Sequence, residues 1–161
     1  MKQLKYIMPV IALFLLVLML GCNRADEPTA VSSIGYGQVT MTPIEVEVDI
    51  QPHHPTSRVN CKAKNRLIAV GIMTTPLFDA ADVDHATVCF QGAYEAHIDP
   101  ETGLPVRHLF DVDEDGDKDL ILHFLYRKTD LHCESTQGCL WGETLDDVPI
   151  QGCDDINMFP K

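Results

Sequence analysis

Between Asp111 and Asp119 the chain reads DVDEDGDKD, six acidic side chains and one lysine in nine residues. Carboxylates this dense repel one another unless a cation sits among them. The spacing D-x-D-x-D-G-x-x-D is that of a calcium loop. Asp111, Asp113 and Asp115 fall at loop positions one, three and five. Gly116 takes position six, where the chain turns sharply through a conformation that other residues avoid. Asp117, at position seven, offers its backbone carbonyl, and Asp119, at position nine, ligates directly or through water. Hard oxygen ligands in a flexible loop suit Ca²⁺ better than Mg²⁺, which demands tighter octahedral geometry. Position twelve is Leu122, where a helix-loop-helix calcium site carries a bidentate Glu. The flanks RHLF and LILHF read as strands, so a strand-joining loop is expected, with an affinity of about 10⁻⁴–10⁻³ M.

Other residue types that do chemistry are arranged less tellingly. Among seven histidines, His53 and His54 occupy a proline-flanked turn, and His108 and His123 flank the acidic loop on strands that would pair. No spacing matches a zinc signature such as H-E-x-x-H, so these read as surface or sheet histidines. Ser57 and Ser135 lie in no nucleophile elbow. Six Phe, four Tyr and one Trp are few for a sugar-cleaving cleft, and Trp141 reads as a packed strand residue. A non-catalytic protein is expected.

Six cysteines occur. Cys22 belongs to the amino-terminal segment. Cys61, Cys89, Cys133, Cys139 and Cys153 remain, a number that favours disulfides in an exported chain. Cys139 and Cys153 bracket a stretch that folds as a hairpin about Asp146, which sets them opposite each other. Cys61, Cys89 and Cys133 are expected to give one more bridge and one free thiol, with the pairing open.

The elements that must position these residues begin after a processed leader. Lys2 and Lys5 precede an apolar run from Ile7 to Leu20, and Gly21 precedes Cys22. This is the layout of a secretory signal, and the run is shorter than the roughly 20 residues a membrane span needs. LMLGC resembles the bacterial lipobox, which implies cleavage after residue 21 and a lipid on Cys22. Asn23 in place of Asp favours the outer membrane, on its periplasmic or surface face. Residues 22–42 then read as the lipidated Cys and a flexible tether, and residues 43–161 as one domain. The net charge of −12 disfavours nucleic acid and anionic lipid surfaces as partners.

Within the domain, PIEVEVDI alternates strictly and reads as a half-buried strand. RLIAVGIMTT and LILHFLY are apolar enough to be buried on both sides. PLFDAAD reads as a turn or one helical turn, ATVCF, YEAHI and VRHLF as short strands, and CLWGET with VPIQG as the cysteine-bracketed hairpin. DINMF is expected to close the sheet. About eight short strands and no helical periodicity predict an all-β, antiparallel β-sandwich.

The acidic loop is similar to calcium loops that join strands in integrin-type propeller blades. The order of motifs also resembles a recurrent module of bacterial secreted and surface proteins. The matching stretches are VDIQP (48–52), KAKNRLIAVGI (62–72), FDAADVDHATV (78–88), DVDEDGDKDLILHF (111–124) and LWGETLDDVPIQGCD (140–154). Departures from that pattern are Gln51, Asn65, Glu114 and the extra cysteines, while Asp111, Asp113, Asp115 and Asp119 stand intact. The resemblance implies a β-sandwich accessory module and no particular activity. The expectation is a lipid-anchored envelope protein that binds a partner protein or a polysaccharide. A purely structural envelope role and, less favoured, a hydrolase are the alternatives.

Overall fold

The computed structural model describes residues 41–160. The expected signal peptide (residues 1–21), the lipidation site Cys22 and all but the last two tether residues lie outside the described residues. Within them the chain forms β1 (Ile44–Glu45), β2 (Val48–Ile50), β3 (Arg58–Asn60), β4 (Leu67–Ile72), β5 (Val83–Phe90) and β6 (Ala93–Tyr94). β7 (His108–Phe110), β8 (Asp119–Leu125), β9 (Gln137–Thr144), β10 (Pro149–Asp155) and β11 (Asn157–Phe159) follow. One sheet runs β1-β10-β9-β5-β6 and the other β2-β4-β8-β7. Their pairings are antiparallel except β1 with β10, and the result is the expected all-β sandwich. No helix among the described residues is long and apolar enough to cross a membrane.

Period-two alternation explains the two layers. Ile68, Val70 and Ile72 of β4 and Leu120, Leu122 and Phe124 of β8 share one core with Phe90, Leu140 and Ile150 of the other sheet. The Phe90 and Phe124 rings meet at 5.2 Å. Each such buried side chain contributes about 1.5–3 kcal/mol of hydrophobic stabilisation. On the opposite face of the β4–β8 layer, Ile121 packs with Met73, Val112 and Ala69 in a second, smaller cluster. That explains why LILHF is apolar on both faces, and it also anchors the acidic loop through Val112.

PIEVEVDI is not a single strand. Val46, Val48 and Ile50 are buried as the alternation requires, but Ile44, expected on the same face, is exposed at 38%, and the segment changes sheets at Val46–Glu47. Val46 N–H donates to the Gln151 carbonyl at 2.8 Å, and Glu47 O accepts from Met73 N–H at 2.9 Å. The crossing runs so close to β10 that a Cβ on Gly152 would stand 2.4 Å from the Val46 carbonyl oxygen. Nor does DINMF close a main sheet. β11 instead pairs in parallel with β3, a strand with no signal in the sequence, as a separate two-stranded unit.

Cys139 and Cys153 face each other across β9–β10 and form a disulfide, as their spacing predicts. Cys61 and Cys133 form the second bridge. The expected free thiol is corrected: no described cysteine is free, and Cys89 is 1% exposed.

Candidate functional site

The acidic loop joins β7 to β8, whose ends pair as Phe110 with Asp119. It is therefore a hairpin connection between strands. Asp111, Asp113 and Asp115 are exposed and present carboxylate oxygens within 4.8 Å of one another. The loop wraps around these groups through its own backbone. Gly116 N–H donates to Asp111 Oδ2 at 3.1 Å, Asp115 N–H to Asp113 Oδ1 at 3.2 Å and Asp117 N–H to Asp115 Oδ1 at 2.9 Å. Gly116 has φ +101°, the left-handed region that its loop position demands. Desolvation, followed by the charges of Asp115 and Asp119, raises the Asp113 carboxyl above its ordinary value despite hydrogen bonding from the Asp115 backbone. Such a group gains from a neighbouring cation.

Asp117 and Asp119 do not belong to this three-carboxylate group. Asp117 contributes its N–H to the wrap. Asp119, expected as a calcium ligand, is 1% exposed, and each of its oxygens accepts a backbone hydrogen bond. Oδ1 takes Thr74 N–H at 2.8 Å and Oδ2 takes Val112 N–H at 2.9 Å. It ties the start of β8 to the end of β4 and to the loop.

A second group joins His108 and His123, on strands that pair as expected, with His97, which the sequence did not single out. His97, His108 and His123 bring ring nitrogens within 4.8 Å of one another on the outer side of the β7–β8 layer. His123 lies on β8, and His108 on β7 pairs with Ile121 two residues away on the same face. Where β7 ends, Glu95–His97 takes over the β8 edge, with Glu95 bridged to Phe124 and Ala96 N–H donating to the His123 carbonyl at 2.7 Å. His108 Nε2 lies 2.7 Å from His97 Nδ1, and the His108 and His123 rings meet edge-on at 5.4 Å. Burial, and then the neighbouring imidazoles, hold His108 and His123 below the ordinary histidine value. His53 and His54 lie outside this group, exposed in their turn.

Glu95, 6% exposed, braces the histidines from behind. Its Oε1 accepts His97 N–H and its Oε2 accepts His123 N–H, both at 2.6 Å. Burial raises its carboxyl pKa against the lowering effect of these hydrogen bonds. The signal that could have located the cluster is weak: a glutamate two residues before one histidine, in a strand otherwise apolar.

On the other sheet, an open groove is lined by Trp141, Tyr94, Gln91, Gln137, Glu143 and Gln151. Trp141 is half-buried on the outer face and lines this groove, so it is not wholly packed away. Two rings amid amides and a carboxylate offer stacking surface and hydrogen-bonding groups together. Compared with known proteins, the chain matches no family model, no curated protein and no solved structure.

Proposed function

We propose that the chain is a lipid-anchored protein of the bacterial envelope whose β-sandwich, stabilised by Ca²⁺, is a non-catalytic binding or adhesion module. The observation that carries this reading is the convergence of Asp111, Asp113 and Asp115 on one strand-joining loop turned by Gly116. Three carboxylates supply part of a calcium shell, and water completes it. The ion's role is structural: it holds the loop closed between β7 and β8. The anchor rests on LMLGC and the leader before it, and replacing Cys22 with Ser is expected to release the protein from the membrane fraction.

The test for calcium is thermal melting with excess Ca²⁺ or with EDTA. At 10 mM Ca²⁺, a Kd of about 10⁻⁴–10⁻³ M gives a linkage stabilisation of about 1.4–2.7 kcal/mol. For a domain of this size that is a rise of roughly 5–10 °C in Tm. Asp113→Ala should abolish the rise. Identical melting in Ca²⁺ and EDTA sinks the reading. For the ligand, the groove of Trp141 and Tyr94 supports a polysaccharide, since sugar rings stack on aromatic faces while amides take their hydroxyls. Affinity electrophoresis through envelope polysaccharide should retard the wild-type protein and not Trp141→Ala; equal mobility of the two removes the groove from the proposal.

A further inference from the structure

We propose that His97, His108 and His123 form a transition-metal site of the Zn²⁺ class, separate from the acidic loop and independent of the calcium reading. Three imidazoles converge, with nitrogens within 4.8 Å of one another. Imidazole is the ligand of choice for Zn²⁺, Cu²⁺ and Ni²⁺ and a poor one for Ca²⁺, so the chemistry of this site differs from that of the loop. Three protein ligands leave a fourth position of a tetrahedral ion for water or another small donor. That position faces solvent on the side of His97, which is exposed, whereas His108 and His123 are half-buried.

Two further observations point to a ligand. His123 Nδ1 is buried and has no hydrogen-bond partner among the described residues, a costly arrangement for a polar atom unless something binds there. Glu95 is buried beside the cluster, and its two oxygens fix the backbone of His97 and of His123. The bracing group thus fixes the backbone from which two of the three rings project.

The geometry needs one small adjustment. His97 Nδ1 and His108 Nε2 stand 2.7 Å apart, the distance of a shared proton. Two nitrogens on one tetrahedral Zn²⁺ at 2.0–2.1 Å are about 3.3 Å apart. His97 is the exposed member, so its ring can rotate to open that gap, and the proton between the two nitrogens leaves when the metal enters. The cysteines take no part: those described are in disulfides or otherwise not free.

The experiment uses the untagged full-length protein, stripped with chelator and titrated with Zn²⁺ against a chromophoric competitor, and separately with Co²⁺ read by visible absorption. The expected result is one equivalent bound per chain and intense Co²⁺ bands of a four-coordinate site. His108→Ala and His97→Ala should each weaken binding at least tenfold. Glu95→Gln, which turns an amide donor toward one of the two backbone N–H groups, should weaken it severalfold. Asp113→Ala should leave Zn²⁺ binding unchanged while removing the Ca²⁺ response. His97 is exposed, so its variant keeps the test valid if His108→Ala fails to fold. Zn²⁺ binding that survives both histidine variants, or no binding at micromolar Zn²⁺, overturns the proposal and leaves the cluster as a hydrogen-bonded histidine pair on the sheet.

Discussion

Asp119→Ala separates the two ways of reading the acidic loop. As a ninth-position ligand, Asp119 would matter only with calcium bound. As a buried brace it matters always. Its carboxylate is 1% exposed and accepts the backbone N–H groups of Thr74 and Val112. Removing it leaves two buried or part-buried donors unsatisfied, each costing about 1–3 kcal/mol. A total near 4 kcal/mol is expected, within a range of about 2–6 kcal/mol. With an m-value of about 2 kcal/mol/M in urea, the midpoint should fall by about 2 M. Asp119→Asn keeps one acceptor and turns an amide donor toward the other N–H, so it should lose about half as much. The assay is urea denaturation in EDTA and again in excess Ca²⁺. The loss should be nearly the same in both, whereas Asp113→Ala should lose stability only in Ca²⁺. If the Asp119→Ala penalty vanishes in EDTA, Asp119 is a ligand and the bracing role is wrong.

The disulfides should differ in both worth and reactivity. Cys61–Cys133 closes a separation of 72 residues and Cys139–Cys153 one of 14. Loop-closure entropy then assigns about 4.4 and 3 kcal/mol respectively, so the paired Ala variants should differ in unfolding free energy in that order; equal losses would mean that the entropic account fails here. Cys61 is 1% exposed and belongs to the core, while Cys153 is exposed, so mild reductant with alkylation and mass spectrometry should open Cys139–Cys153 first. Asp49 gives a pH test. Burial, and then Asp154, raise its carboxyl above its ordinary value, so the folded chain binds that proton more tightly than the unfolded one. Its charge therefore costs stability above the folded pKa, and the cost disappears as pH falls through it. Asp49→Asn should raise the urea midpoint at neutral pH and change little near pH 3; a gain of equal size at both values would exclude the charge as its cause.

Elements dominated by local pattern were legible in the sequence. The alternation in PIEVEVDI placed Val46, Val48 and Ile50 in the core, and the spacing of Cys139 and Cys153 placed them across one hairpin. Gly116 announced its own backbone conformation. What failed depends on contacts distant in sequence. Alternation has no term for changing sheets, and the switch at Val46–Glu47 is set by Gln151 and Met73, more than 25 residues away. β3 is three residues long and exists because β11, almost 100 residues later, lies beside it. The histidine cluster joins residues from three segments, and no spacing rule spans such a gap. Asp119 shows the same limit: loop position fixes where a residue sits, but its burial and its bond to the Thr74 N–H come from a segment 45 residues away.

Both candidate cation sites adjoin β8, and the same device supports each. At the start of the strand the acidic loop departs; four residues on, about 13 Å along an extended chain, His123 faces its two partners. At both places a neighbouring segment leaves or joins the β8 edge, and regular ladder bonding gives way. A buried carboxylate fills the gap each time: Asp119 takes the N–H groups of Thr74 and Val112, and Glu95 takes those of His97 and His123. Both acids spend their oxygens on the backbone, which fixes the chain that presents the exposed carboxylates or the imidazoles. Acidic side chains here divide by burial into those that hold backbone and those that face solvent. Sequence spacing alone puts Asp113 and Asp119 in one ligand series, but the first is exposed and the second is 1% exposed with both oxygens on backbone N–H groups.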